Sequence, residues 1–357
     1  MINNKYLTVD SSIKDAIKVI ESVNERLAIV FDHNGKVLGA LTDGDIRRAI
    51  LNGISISDFA TKAMNSNPVI ANIDDSEHTF DQLLEKNNIR SILLLDSNDL
   101  FIKTYSGPSS TNTNIEASNS IKNTFSFAVI MAGGEGTRLR PITSTLPKPM
   151  IDINGTPLLE RQIKNLRGIG IKKIYISVNY LGKVIQDYFG DGRKWGVQID
   201  YLKEDKKLGT AGGLSLIGDI KDSINFLVIN GDILTESNLL NLYHFHKEYK
   251  SQVTIGAVNH HVRIPYGVIK QKSGRMIELI EKPVESYLCN AGIYALTSKA
   301  LKAIPKRTFW NMTDLIDHCL LMSEVVSVFP VHEYWSDIGT TDDLEKARKI
   351  SASDLLT

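Results

Sequence analysis

The chain has 357 residues, 42% of them hydrophobic, enough for two domains of ordinary size with a core each. Its 41 basic residues balance 41 acidic ones, so no net field draws in nucleic acid or an anionic membrane, and phosphates must be held by local clusters. The N-terminus lacks a basic segment followed by an apolar core, no run of about eighteen apolar residues occurs, and two cysteines make neither a metal set nor a disulfide framework; a cytoplasmic protein with Cys289 and Cys319 as buried thiols is expected.

In chain order, a helix is expected after Val9-Asp10. Ile13, Ala16, Ile17 and Ile20 share one of its faces, and Ser12 with Asp15 offers a capping box at its start. The same pattern returns about 63 residues later, where Ile73-Asp74 precedes a helix carrying Phe80, Leu83 and Leu84. Apolar strands follow both helices, at 27–31 and 91–95, each leading to a turn and another strand. A β-α-β-β unit used twice accounts for residues 1–106.

This half resembles a tandem pair of cystathionine-β-synthase (CBS) domains. The first copy carries that family's ribose-binding pattern, Gly39-Ala-Leu-Thr42-Asp-Gly-Asp45. A threonine hydroxyl and a carboxylate three residues on can both reach a ribose. At the same offset the second copy has Ile102, Tyr105 and Pro108, so one regulatory nucleotide site at Thr42 and Asp45 is expected rather than two. The alternative is a pair that only mediates packing or dimerisation. Residues 107–122, opening on Gly107-Pro108 and rich in serine, threonine and asparagine, read as a linker to a domain at 123–357.

That domain opens on an apolar strand at 127–131 that empties into Ala132-Gly133-Gly134-Glu135-Gly136-Thr137-Arg138, followed by Pro147-Lys148-Pro149. Gly133, Gly134 and Gly136 can adopt positive φ and let backbone N–H groups approach phosphate oxygens, and Arg138 and Lys148 supply charge. No Gly-Lys-Ser/Thr follows, which excludes a Walker loop, and no third glycine opens a helix as a dinucleotide fingerprint requires. Further buried strands are expected at 173–178, 225–229 and 253–257, with an amphipathic helix at 158–166 that stops near Gly168 and Gly170. After Trp335-Ser-Asp-Ile-Gly-Thr340 only one charged, helix-like stretch follows, and no hexapeptide repeat accompanies it.

From about residue 125 to 350 the chain resembles the sugar-1-phosphate nucleotidyltransferases, whose signature is Gly-Gly-x-Gly-Thr-Arg-Leu-x-Pro-x-Thr followed by Pro-Lys-Pro. The resemblance implies an α/β fold with a Rossmann-like mixed, mostly parallel sheet, here preceded by the CBS pair. It also implies transfer of a nucleoside monophosphate from an NTP to a sugar 1-phosphate by direct displacement. Ala132, Gly133, Gly134, Gly136 and Thr137 would cradle the nucleotide phosphates, with Arg138 and Lys148 neutralising charge. Asp232 follows directly on the 225–229 strand, at a carboxyl edge where such sheets bind ligands, and reads as a ligand of Mg²⁺. Only the resemblance brings Asp337 beside it as the second metal ligand.

The segments 266–268, 281–283 and 290–294 match the family in order. Lys282 would pair with the sugar phosphate, Glu281 and Asn290 would bond sugar hydroxyls, and Gly267 would let the sugar approach backbone. Gly209 and Thr210, in Leu208-Gly-Thr-Ala-Gly212, resemble the guanylyl branch more than the thymidylyl branch, which favours GTP. His244, His246, His260 and His261 read as structural or surface residues. With the fused CBS pair, the chain is similar to the glucosamine-1-phosphate guanylyltransferases of bacterial legionaminic acid synthesis. Mannose or heptose 1-phosphate guanylylation, glucose 1-phosphate thymidylylation or uridylylation, and a non-catalytic nucleotide-sugar sensor are the rivals. Homo-oligomers are expected.

Overall fold

A computed structural model of the protein describes residues 6–23, 25–87, 89–107 and 124–349. The chain divides into two compact units, Met1–Ser120 and Ile121–Thr357; most of the expected linker, 108–122, lies outside the described residues.

The first unit contains β1 (Leu7–Thr8), α1 (Ile13–Ser22), β2 (Leu27–Phe31), β3 (Val37–Thr42), α2 (Asp43–Leu51), β4 (Ile70–Asn72), α3 (Glu77–Asn87), β5 (Ser91–Leu95) and β6 (Phe101–Ser106). Ser12 and Asp15 form the expected capping box on α1, whose buried residues are Ile13, Ala16, Val19 and Ile20. The two repeats make separate three-stranded sheets, β1-β2-β3 and β4-β5-β6. Ile29 and Ala40 of one sheet bury against Leu93 of the other.

Strand pairing corrects the repeat length. Leu27 pairs with Thr42 and Ser91 with Ser106, an offset of 64 residues in both strands, and each hairpin carries a register shift at the same place. The turn confirms it, since Asp32 Oδ1 accepts from Asn34 and Lys36 backbone N–H groups as Asp96 Oδ1 does from Asn98 and Leu100. The second-copy partners of Gly39 and Thr42 are therefore Lys103 and Ser106, not Ile102 and Tyr105. The partner of Asp45 is Ser109, not Pro108, and both 108 and 109 lie outside the described residues. Two similar apolar runs leave the offset open by one residue in sequence, whereas a one-residue slip in a sheet reverses every side chain.

The second unit runs β7 (Ala128–Met131), β8 (Asp152–Ile153), β9 (Thr156–Pro157), α4 (Leu158–Gly168), β10 (Lys173–Val178), α5 (Gly182–Phe189), β11 (Gln198–Lys203), α6 (Gly209–Gly212), β12 (Asn225–Asn230), β13 (Ile233–Thr235), α7 (Leu239–Glu248), β14 (Val253–Arg263), β15 (Val268–Lys272), β16 (Arg275–Ile280), β17 (Val284–Thr297), α8 (Ser298–Lys302), α9 (Met312–Leu321), β18 (Val326–Val331), β19 (Trp335–Asp337) and α10 (Thr341–Lys349). Seven strands form one sheet in the order β11-β10-β7-β12-β17-β14-β18, parallel except at β17. Its central strands are apolar on both faces, as a sheet covered by helices requires.

Two features position the site. β7 and β12 lie side by side with Met131 opposite Asn230, so the glycine-rich loop and the 231–232 turn leave from adjacent strand ends. β13 and β19 form a small separate ladder in which Ile233 pairs with Asp337. A second core of Leu139, Ile151, Ile153, Leu158, Leu234, Ile338, Leu344 and Ala347 fixes both the loop and that ladder. The charged stretch after residue 340 is α10, and its Leu344 and Ala347 complete this core. Cys319 is buried but Cys289 is exposed, which corrects the expectation of two buried thiols. Cys289 sits on the outer half of β17, which leaves the core.

Candidate active site

The glycine-rich loop meets expectation in place but not in every conformation. Only Gly136 of its three glycines has positive φ, at 61°, and a Cβ there would come within 3.0 Å of Thr143 and 3.1 Å of Lys148. The Thr143 hydroxyl donates to the Gly136 carbonyl at 2.8 Å, closing the loop on itself. Gly133 serves by size, since a Cβ there would stand 3.3 Å from Asn179. Ala132 is buried and its N–H donates to the Ser177 carbonyl, so it anchors the loop rather than offering a donor to a ligand. Thr137 starts a short 3₁₀ turn that directs Leu139 into the core and leaves Arg138 outside.

Lys148 is the electrostatic centre. Its residue is 8% exposed, and its ammonium lies 2.5 Å from Asp232 Oδ2 and 3.3 Å from Asp337 Oδ1. Arg138 approaches the other Asp337 oxygen at 4.0 Å, and Gly339 leaves room for that approach, since a Cβ on it would be 3.2 Å from Asp337 and 3.3 Å from Arg138. The β13–β19 ladder explains how residues 232 and 337 meet, because the Ile338 N–H donates to the Asp232 carbonyl at 3.0 Å. Burial and the neighbouring Asp232 carboxylate push the Asp337 carboxyl above the usual aspartate range, while Lys148 and Arg138 pull it back. Two carboxylates converging on one cationic centre, with the glycine-rich loop beside them, fit Mg²⁺, which takes few carboxylates and completes its sphere with phosphate oxygens and water.

On the sheet's other flank, the buried Ser177 hydroxyl donates to Glu204 Oε1 at 2.5 Å and the Leu208 N–H donates to Glu204 Oε2 at 3.0 Å. A Cβ on Gly133 would be 3.7 Å from Glu204 Oε1, so this carboxylate borders the loop. Nothing in the sequence distinguished it from a surface glutamate. Gly209 has φ 77° and packs on the Trp310 carbonyl, and the Thr210 hydroxyl accepts from the Met312 N–H at 2.8 Å, starting α9. Both residues therefore secure the turn after Glu204, and the Thr210 side chain serves the fold.

The residues expected to meet the sugar lie on exposed strands and turns. The Glu281 carboxylate lies over Gly267, where a Cβ would come within 2.9 Å of it. Lys282 has φ 47° and donates its N–H to the Tyr266 carbonyl at 3.3 Å. Asn290 Oδ1 accepts from the Gly292 N–H at 2.9 Å, and Trp335 Nε1 donates to the Ala291 carbonyl at 2.8 Å, tying the strand that bears Asn290 to the one that bears Asp337. In the first unit, the Thr42 hydroxyl donates to Asp45 Oδ2 at 2.6 Å and accepts from the Asp45 N–H at 3.3 Å, while Arg48 holds Asp45 Oδ1 at 2.7 Å. Both residues form the capping box of α2, a helix the sequence reading did not assign.

His246 is 1% exposed, with Nδ1 2.8 Å from the Thr254 hydroxyl and Nε2 buried without a hydrogen-bond partner; burial lowers its pKa from 6.5 to about 4. No helix among the described residues is long and apolar enough to cross a membrane.

Comparison with known proteins agrees with this geometry. The family model for nucleotidyl transferases matches residues 127–353, and that for the CBS domain matches residues 2–52. A mannose-1-phosphate guanyltransferase of Yarrowia lipolytica is 36% identical over 222 residues, 60% of this chain and 61% of that protein. A mannose-1-phosphate guanylyltransferase of Mycobacterium tuberculosis is 30% identical over 221 residues, 60% of this chain and 62% of that protein. The chain thus spans about three fifths of the length of these relatives. The crystal structure of HddC from Yersinia pseudotuberculosis superposes with a TM-score of 0.50 at 28% identity, over 63% of this chain and 99% of that one.

Proposed function

Because the chain belongs to the nucleotidyl transferase family, we propose that it transfers GMP from GTP to a sugar 1-phosphate, glucosamine 1-phosphate foremost, releasing pyrophosphate and forming a nucleotide sugar. The observation that carries this reading is the Lys148–Asp232–Asp337 cluster beside a glycine-rich loop, at the carboxyl ends of β7 and β12. Nucleotidyl transfer needs alignment of the sugar-phosphate oxygen with the α-phosphorus and neutralisation of charge on the departing pyrophosphate, and no covalent intermediate. Gly133, Gly134, Gly136 and Thr137 line the triphosphate, while Arg138 and Lys148 face its growing negative charge. Asp232 and Asp337 would hold Mg²⁺, which when bound supplies electrostatic stabilisation to the phosphate oxygens. Lys282 takes the sugar phosphate, and Glu281, Asn290 and the Gly267 backbone hold the sugar.

Three observations favour guanine. The 208–212 segment resembles the guanylyl branch more than the thymidylyl branch, the relatives at 36% and 30% identity are guanylyltransferases, and Glu204 borders the loop. A carboxylate only accepts hydrogen bonds, and guanine presents adjacent N1–H and N2–H₂ donors. Glu204→Gln should therefore lower the GTP-to-UTP efficiency ratio about tenfold, the cost of one poorly matched polar contact. Glucosamine 1-phosphate, the precursor expected in legionaminic acid synthesis, is favoured by the fused CBS unit. Mannose 1-phosphate is the second reading, favoured by the names of the relatives. A pyrophosphate-release screen of GTP, UTP and TTP against glucosamine, mannose, heptose and glucose 1-phosphates tests both. GTP with glucosamine 1-phosphate should give the highest kcat/KM; a TTP or UTP pair ahead by tenfold would overturn the guanylyl reading, and mannose 1-phosphate ahead would replace the sugar.

A further inference from the structure

Gln162 stands on α4, outside the glycine-rich loop and the Pro147-Lys148-Pro149 segment in sequence, yet it is 6% exposed. Its Nε2 donates to two backbone carbonyls, Asn230 at 2.9 Å and Ile233 at 2.7 Å. Those carbonyls flank Gly231 and Asp232. The rest of the turn is held from other sides, by the Gly231 N–H on the Met131 carbonyl at 2.9 Å and by the Ile338 N–H on the Asp232 carbonyl at 3.0 Å. All four residues from 230 to 233 therefore have a backbone group tied, two of them by one side chain.

The geometry points to Gln162 as a positioning residue that fixes the Asp232 carboxylate by clamping both sides of its turn. The inference rests on the reading that Asp232 takes part in nucleotidyl transfer. Two converging carbonyls require two N–H donors from one atom, which at this reach an amide NH₂ supplies. A glutamate of the same shape would turn carboxylate oxygens onto carbonyl oxygens, and methionine would leave both carbonyls without a donor. The opposite end of the Gln162 amide supports the same assignment. Its Oε1 is buried with no hydrogen-bond partner, so the side chain keeps an unsatisfied acceptor while serving the two carbonyls. Such a group is retained where it fixes geometry rather than where it adds stability.

Gln162→Met and Gln162→Glu should both lower kcat by about 10²-fold, the loss expected when a reacting group is displaced by about an ångström, with KM for GTP changed less than about threefold. Introduced into Asp232→Asn, either substitution should have no further effect on kcat, because Gln162 acts through Asp232. Wild-type kcat in Gln162→Met together with a lowered melting temperature would make Gln162 purely structural and overturn the proposal, as would full additivity with Asp232→Asn. If Gln162→Met does not fold, the Gln162→Glu measurement decides alone. Wild-type turnover in Asp232→Asn itself would instead remove the catalytic reading on which the inference stands, whereas an inactive Asp232→Asn with an unimpaired Gln162→Met would sink the positioning role alone.

Discussion

At the phosphate end of the candidate site, Lys148, Asp232 and Asp337 leave strand ends and turns anchored in the core, and Lys148 is 8% exposed. At the end proposed for the sugar, Gly267, Glu281 and Lys282 belong to the β15–β16 hairpin and its flanks, where Tyr266, Ile269, Met276 and Leu279 are all more than half exposed. The contrast runs along single strands. β14 and β17 are buried where they cross the sheet and exposed in the halves that run out to the hairpin. Charge must be met at fixed distances, so its partners are rigidly built; the proposed sugar contacts stand on elements whose side chains change at small cost to the fold.

The largest expected effect lies at the buried end. Lys148→Met should lower turnover by about 10²- to 10³-fold, the usual loss for a preorganised charge facing a developing anion. It should also shift the melting temperature, because Asp232 and Asp337 are left facing each other without their shared cation. Steady-state pyrophosphate release and a thermal melt check both, and an unchanged rate would put Lys148 outside the chemistry.

The root of β14 gives the next. His246, packed against Thr254, has its pKa lowered to about 4 by burial, whereas an unfolded histidine titrates near 6.5. Between those values the unfolded chain binds more protons, so stability is present at higher pH and is lost as pH falls through the window, by about 2 kcal/mol from pH 7.5 to 5. Urea unfolding of the second unit in wild type and His246→Gln should diverge by that amount. The two proteins keeping the same pH slope would contradict the assignment.

At the exposed end, Lys282→Ala should raise KM for the sugar 1-phosphate about tenfold, as for a lost hydrogen bond to a charged group, with the melting temperature unchanged. A fall in kcat at constant KM would instead make this end as catalytic as the other. Asp45→Ala carries the smallest effect on turnover, which should stay at the wild-type rate without added nucleotide. It should cost the first unit about 1 kcal/mol through loss of the α2 capping box. Calorimetry with adenosine and guanosine nucleotides on the full chain then separates the cap from the proposed ribose site, because a variant that binds as well as wild type leaves Asp45 with the capping role alone.

Much of this contrast could be read from residues. The strands β2, β5 and β12 show as uninterrupted apolar runs at 27–31, 92–95 and 226–229, and the glycine-rich loop announces itself through Gly136, Arg138 and Lys148. What the residues carry only through a family resemblance, or not at all, needs long-range pairing. Asp232 and Asp337 meet through the β13–β19 ladder, two strands of three residues each, too short to leave a period. The β15–β16 hairpin, Val-Ile-Lys-Gln-Lys and Arg-Met-Ile-Glu-Leu-Ile, mixes charged and apolar groups without a two-residue period and buries neither face, so no stripe betrays it. Gln162 and Glu204 look like ordinary helix and loop polar residues, because the carbonyls and hydroxyl that occupy them come from distant segments. The one-residue error in the repeat has the same origin, since only pairing fixes register.

The central claim, that the Lys148–Asp232–Asp337 cluster moves a nucleotide onto a sugar phosphate, is met most directly by following the α-phosphorus. GTP labelled at that atom should, with Mg²⁺ and glucosamine or mannose 1-phosphate, pass its label to a GDP-sugar in equal yield with pyrophosphate, and Asp232→Asn should reduce that transfer by about 10²-fold or more while the variant stays folded. Label that stays in GTP with every sugar 1-phosphate offered, or passes equally well in the Asp232→Asn protein, would contradict the account.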